Sequence, residues 1–170
     1  MSTTQWILNL GLLGWVLLRN LGSKPVTRGT FLVPVLIVAV AAGVFLTDIP
    51  TAGNDVPLDL IGAAAGAVLG VAATGLTRIR RTGSGTVITA GAGFAALWIT
   101  VIGGRIAFAQ WATGPGGRAV GEFSMQHHIS GADAWTAAFV LMALAMVLAR
   151  AASTMIAIHR SPARAAVPVG

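Results

Sequence analysis

The sequence predicts an all-α, polytopic membrane protein with five transmembrane helices, its N-terminus outside and its C-terminus inside. Hydrophobic residues make up 55% of the 170 residues and charged residues only 9%, whereas a soluble domain carries about 25% charged residues. The apolar residues are concentrated in five stretches separated by charged connectors. Successive connectors alternate in the sign of their charge, and this alternation predicts the orientation of the chain across the bilayer.

The five stretches form a single transmembrane domain over residues 1–170. They lie at about 4–18, 30–47, 58–76, 86–109 and 134–158. The first stretch is the shortest, because at about 1.5 Å per residue it reaches about 22 Å against a hydrocarbon core of about 30 Å. Length alone leaves open whether this first helix crosses the bilayer fully. The second stretch carries Pro34 near its start, where a proline is tolerated.

Charges of opposite sign lie on the two predicted sides of the membrane. The acidic residues in or beside the outer connectors are Asp48, Asp55, Asp59, Glu122 and Asp133. The basic residues of the inner side are Arg19, Lys24, Arg28, Arg78, Arg80, Arg81, Arg150, Arg160 and Arg164. Because basic connectors stay on the cytoplasmic side, we expect a multi-pass protein of the cell (inner or plasma) membrane. The net charge of +6 then meets anionic lipid headgroups, and no nucleic-acid partner is expected.

The third stretch carries glycines at a spacing of four residues, at Gly62, Gly66 and Gly70. Small residues at this spacing form a flat face that lets another helix backbone approach closely. Two interpretations fit the pattern. The face packs within the chain, with the alanine-rich fifth stretch as its neighbour, or it binds a membrane protein partner or a second copy of the chain.

Arg105 lies near the outer end of the fourth stretch, after two glycines. A charge at this depth either snorkels to the interface or is paired. The candidate ion-pair partners in the sequence are Asp55, Asp59 and Asp133. The functional interpretation makes Arg105 an anion or substrate contact at the mouth of an outward-facing vestibule.

The sequence contains no catalytic constellation. There is no cysteine, which excludes thiol chemistry and thiolate metal sites. His127 and His128 are weak metal candidates, because adjacent side chains point in different directions and a metal needs three or four ligands. We therefore predict no catalytic residue and no cofactor.

The first basic connector contains Lys24, Pro25 and Thr27, and a Leu-Val-Pro run ending at Pro34 opens the second stretch. Together with the arginines at Arg78, Arg80, Arg81, Arg105 and Arg150, this layout resembles the CcdC-like family of small bacterial integral membrane proteins. The resemblance implies five helices in a bacterial membrane and a link to cytochrome c maturation. It supplies no catalytic residues. Without cysteine, and without a histidine inside a span to ligate haem, any such role would be accessory.

Two functional hypotheses follow from the sequence. The first is a non-enzymatic accessory or regulatory protein that contacts the lipid bilayer and a membrane protein partner or its own copy. The alternative is a small transporter or channel subunit with an outward-facing vestibule near Arg105.

Overall fold

A computed structural model describes residues 22–27, 29–45, 51–82 and 85–160 of the chain. The described part is mostly helical and also contains three short strands. In chain order the elements are β1 (Gly22–Pro25), α1 (Gly29–Phe45), α2 (Asp55–Gly75), β2 (Thr77–Thr82), β3 (Gly85–Ala90), α3 (Ala92–Thr113), α4 (Gly117–Gln126) and α5 (Ala132–Arg160). The first predicted stretch, at 4–18, lies outside the described residues.

Within the described ranges, three helices are long and apolar enough to cross a membrane. They are α2, α3 and α5, with 21, 22 and 29 residues. Helix α1 is also apolar but has 17 residues. Much of the apolar surface faces outward, since Leu60, Ile61 and Val68 of α2 expose 65%, 67% and 69% of their surface. Apolar helix faces of this kind are expected to contact lipid.

The bounds of three predicted stretches agree with α1, α2 and α5 within three residues. The fourth prediction, at 86–109, was wrong at its start, because α3 begins at Ala92. Residues Gly85–Ala90 form β3 instead. The run from Thr86 to Thr89 is β-branched and continues the apolar character of the helix, so hydrophobicity alone merged the strand with the span.

The all-α prediction missed a small antiparallel sheet with the strand order β1-β3-β2. The two connectors predicted to be basic loops pair with β3 from either side. Lys24 lies opposite Ile88 and Arg80 lies opposite Val87. Pro25 is tolerated because β1 is an edge strand, where a missing N–H leaves no central ladder bond unmade.

Helices α2 and α5 pack with their backbones in close contact, along the face that the glycine spacing predicted. A Cβ added at Gly62 would lie 2.6 Å from the Ala138 carbonyl oxygen. The same addition at Gly66 or Gly70 would overlap a backbone oxygen of α5, that of Met142 or Met146. The contacts advance together along both helices, from Gly62 against Ala138 to Gly70 against Met146, so α2 and α5 run parallel. The glycine face therefore lies against α5 of the same chain.

Hydroxyl groups join the same two helices where α2 ends. The Thr74 Oγ1 lies 2.7 Å from Ser153 Oγ and 3.3 Å from Thr154 Oγ1. Thr74 Oγ1 also lies 3.4 Å from the Arg150 carbonyl oxygen. These contacts set Arg150 level with the last turn of α2, just before β2 begins.

We expect Gly66→Ala to lower the free energy of unfolding by about 1–3 kcal/mol, because the added methyl overlaps the Met142 carbonyl and forces the helices apart. Gly103→Ala is the matched control, since a Cβ at Gly103 of α3 has nothing within 4 Å. That variant should be unchanged or slightly more stable. Denaturant titration of the purified chain in detergent micelles measures both. Equal stability of the two variants would contradict the close α2–α5 contact.

Candidate functional site

Two cavities lie at opposite ends of the parallel pair α2 and α5. We call the end that carries Asp55, Asp59 and Asp133 the acidic end, and the end that carries the sheet the basic end. The acidic-end cavity has a volume of about 520 Å³ and lies among α3, α4 and α5. The basic-end cavity has a volume of about 240 Å³ and lies among α1, the sheet, α3 and α5.

Aromatic rings form the inner wall of the acidic-end cavity. The Phe108 ring of α3 lies 5.3 Å from the Phe139 ring and 5.4 Å from the Trp135 ring of α5, measured between centroids. The Trp135 Nε1–H donates to Ser124 Oγ at 3.1 Å, and Ser124 Oγ lies 2.8 Å from the Val120 carbonyl oxygen, to which it donates. Because these polar groups are satisfied within the protein, the wall is suited to an apolar group.

Helix α4 covers one side of this cavity and is amphipathic. Val120, Gly121 and Ser124 face the cavity, while Arg118 and Glu122 pair on the exposed side at 2.7 Å. In the sequence this segment falls in the outer connector 110–133, between the fourth and fifth apolar stretches, where no helix was predicted. The signal was present in the three- to four-residue spacing of those residues.

The two loops at the acidic end are hydrogen-bonded to each other. Asn54 donates from its backbone N–H to the His128 carbonyl oxygen at 2.9 Å and from Nδ2 to the His127 carbonyl oxygen at 2.8 Å. The fully buried Asp55 accepts from the backbone N–H and the hydroxyl of Ser130. These bonds hold the loop before α5 against the start of α2 and fix one rim of the acidic end.

Asp59 follows Asp55 by one helical turn and is 7% exposed. Its Oδ1 is buried and has no hydrogen-bond partner within the described part of the chain. From the sequence, Asp59 was expected to mark the outer side of the membrane and to be a candidate ion-pair partner of Arg105. Its spacing of four residues from Asp55 was the signal that the two carboxyl groups share a buried face of α2.

Arg105 is half-buried in α3, and its guanidinium carbon lies 5.7 Å from the centre of the Phe139 ring. No ion pair joins it to Asp55, Asp59 or Asp133 in the described ranges, where the one salt bridge is Arg118–Glu122. Arg105 is not a wall residue of the acidic-end cavity. It adjoins that cavity through Phe139, whose ring contacts both.

The two histidines, His127 and His128, take part in the structure of the loop between α4 and α5. The His127 ring stacks on the Phe123 ring at 4.0 Å, and its Nδ1–H donates to the Phe123 carbonyl oxygen at 2.9 Å. His128 has a positive φ of 52°, and a Cβ at Gly53 would overlap its carbonyl oxygen. Over the described residues, no three His, Asp or Glu side chains are grouped so as to hold a metal ion.

Among the described wall residues, one arginine and one half-buried tryptophan give the basic-end cavity much of its polar character. The Arg150 guanidinium carbon lies 4.3 Å from the centre of the Phe94 ring, and Phe94 is 1% exposed. The Trp98 Nε1–H is buried and has no hydrogen-bond acceptor in the part of the chain that is described. Hydroxyl-bearing side chains in the wall are Thr30, Thr77 and Thr154.

The three connector residues that carry the family resemblance lie beside this cavity. Lys24 and Pro25 belong to the edge strand β1. Thr27 lies just before α1, where its backbone N–H donates to Thr30 Oγ1 at 3.1 Å. Lys24, Pro25 and Thr27 therefore connect the sheet to α1, and Thr30 is the member of this segment that reaches the cavity wall.

We found no match for this chain among models of protein families, curated proteins or solved structures. The resemblance to the CcdC-like family stays an expectation that rests on the connector and the arginines.

Proposed function

We propose that the chain is a non-enzymatic, multi-pass protein of a bacterial cell membrane, with its basic end in the cytoplasm and its acidic end outside. Three apolar helices of spanning length and their lipid-suited outer faces support membrane insertion. The opposite charges of the two ends support the orientation, because basic connectors are retained on the cytoplasmic side.

Its function in this proposal is to bind the apolar part of an amphiphilic molecule in the acidic-end cavity, as an accessory or regulatory protein. The observation that carries the proposal is the cavity of about 520 Å³ with an aromatic wall and internally satisfied polar groups. Ligand sites in proteins are mostly apolar cavities of about 300–1,000 Å³ with a few polar groups. In the setting that the family resemblance implies, this ligand binding would assist cytochrome c maturation without itself performing chemistry.

Partly filling the acidic-end cavity should weaken binding. Gly121 lines this cavity, and a Cβ added there has nothing within 4 Å, so Gly121→Leu adds a side chain that starts in open space. We expect the affinity for a dansyl-labelled fatty acid to fall about tenfold, since the cavity loses the volume that the chain of the probe occupies. Energy transfer from tryptophan to the bound dansyl group, with Trp135 in the cavity wall, measures the loss.

The matched control is Ala119→Leu on the same helix. Ala119 is exposed and is not among the wall residues of the cavity, so this variant should bind the probe as the unmodified chain does. Equal binding by Gly121→Leu and Ala119→Leu, or no energy transfer with any form of the chain, would contradict the proposal.

The orientation is tested by reporter fusions. Green fluorescent protein fused after Gly170 should fluoresce and alkaline phosphatase fused there should be inactive, because the proposed orientation places the C-terminus in the cytoplasm. Fusions to a chain truncated after Gly131, at the acidic end, should give the opposite pattern. Phosphatase activity after Gly170 would overturn the orientation.

A second candidate function is a small transporter or channel subunit with an outward-facing vestibule near Arg105. One observation favours it: Arg105 is a half-buried cation whose contact residue, Phe139, also lines the acidic-end cavity. A cation beside a cavity attracts an anion and lowers the barrier to its entry.

On this second proposal, Arg105→Ala should abolish chloride flux in proteoliposomes that contain a halide-sensitive dye, without changing the unfolding midpoint. Arg118→Ala is the control, because Arg118 is exposed and paired with Glu122. Absence of chloride flux with the unmodified chain, or equal flux with and without Arg105, would exclude it.

A further inference from the structure

The basic-end cavity lies where four parts of the fold meet. Its wall contains residues of α1, the sheet, α3 and α5, so it forms only when the whole basic end is assembled. It is separate from the acidic-end cavity and has the opposite polar character. The polar side chains of its described wall residues are one arginine, one tryptophan and three threonines, with no carboxylate among them.

The Arg150 side chain does not extend in the direction that its position near the end of a membrane helix predicts. A long basic side chain near the end of a span usually extends to the headgroups. Here the guanidinium lies over the buried Phe94 ring at 4.3 Å, and the part of the chain that is described offers it no ion pair. A cation–π contact uses the charge but no N–H bond, so the N–H groups of Arg150 can donate to another molecule.

Trp98 adds a second donor to the same cavity. Its Nε1–H is buried without an acceptor among the described residues. An unsatisfied buried donor is costly and needs an explanation, such as a partner absent from the protein itself. The Thr77 hydroxyl of the same wall donates to the Thr74 carbonyl oxygen at 2.7 Å and accepts no hydrogen bond from Trp98. The wall of the cavity therefore contains both a guanidinium without an ion pair and a tryptophan whose buried N–H has no acceptor among the described residues.

The depth and charge of this end identify the missing acceptor. Thr74 contacts the Arg150 backbone at the last turn of α2, which is the level where a spanning helix meets the lipid headgroups. Arg78 and Arg80 are exposed on the adjoining strand β2, while Asp55, Asp59 and the other described carboxylates are remote in sequence and lie toward the acidic end. Guanidinium groups match the geometry of phosphate oxygens and bind them by paired N–H bonds.

We propose that the basic-end cavity binds a phosphate group, held by the guanidinium of Arg150 and the indole N–H of Trp98. Two sources supply this chemistry, the headgroup of an anionic phospholipid and a soluble phosphate. The proposal goes beyond the proposed function, because it concerns a different cavity at the other end of the molecule and does not depend on what the acidic-end cavity binds.

The test uses the full chain in detergent micelles and native mass spectrometry with dioleoylphosphatidylglycerol as the probe. Dioleoylglycerol, which has the same acyl chains and no phosphate, is the comparison lipid. We expect Arg150→Gln to weaken binding of the phospholipid about tenfold, as the loss of a charge-assisted hydrogen bond predicts. Trp98→Phe keeps an aromatic side chain but removes the N–H together with the five-membered ring of the indole, and it should weaken binding about threefold. If Arg150→Gln fails to fold, Trp98→Phe decides the proposal.

Arg78→Gln is the matched control, because it removes the same charge from the same end but lies outside the cavity wall. It should bind as the unmodified chain does. If Arg150→Gln and Arg78→Gln weaken phospholipid binding equally, the lipid is attracted by the overall charge of the basic end and not by a site, and the proposal is overturned. Binding of dioleoylglycerol as strong as that of the phospholipid would also overturn it.

A thermal unfolding series with inorganic phosphate against chloride at equal ionic strength separates the two sources. A rise of the midpoint with phosphate that Trp98→Phe reduces assigns a soluble phosphate. Phospholipid binding that Trp98→Phe weakens, without such a rise, assigns the lipid headgroup. If neither probe distinguishes Trp98→Phe from the unmodified chain, the proposal is wrong.

Discussion

The close contact between the backbones of α2 and α5 is the constraint from which the rest of the described structure follows. It exists because three glycines, Gly62, Gly66 and Gly70, leave room for carbonyl oxygens of α5. In lipid, helices gain little from burying apolar surface against each other, so close van der Waals packing between small residues is what brings them together. Helix α5 also contacts α1 and, through aromatic side chains, α3. It is therefore the common neighbour of the helical elements.

The parallel direction of α2 and α5 brings connectors of like charge together at each end. At the acidic end, Asn54 and Asp55 bind the loop that precedes α5. At the basic end, β2 follows α2 directly and pairs with β3, which also binds β1. Like charges are tolerated there because the side chains of Arg78 and Arg80 are exposed and are screened by solvent or headgroups. The segregation of charge that orients a membrane protein is thus also a property of the tertiary structure.

The cavities lie on the side of the bundle where glycine packing is absent. Gly103 and Gly104 of α3 have nothing within 4 Å of an added Cβ, so α3 does not approach α5 as α2 does. Large rings fill the space instead, Phe108 against Phe139 at the acidic end and Phe94 beneath Arg150 at the basic end. These rings and the Arg150 guanidinium make contact between α3 and α5 but leave open space between the two helices. Helix α5 packs closely against α2 and more openly against α3, which explains why the candidate sites adjoin α3.

The sequence by itself determined the apolar helices, the sign of each connector and the spacing of the glycine face, because these are local properties of hydrophobicity, charge and helical repeat. It placed α1, α2 and α5 within three residues of their bounds. Tertiary structure decided the rest. The sheet joins Lys24 to Ile88, and the basic-end cavity joins Trp98 to Arg150. Such contacts depend on pairing between distant segments, and no local period of either segment encodes the partner that it meets.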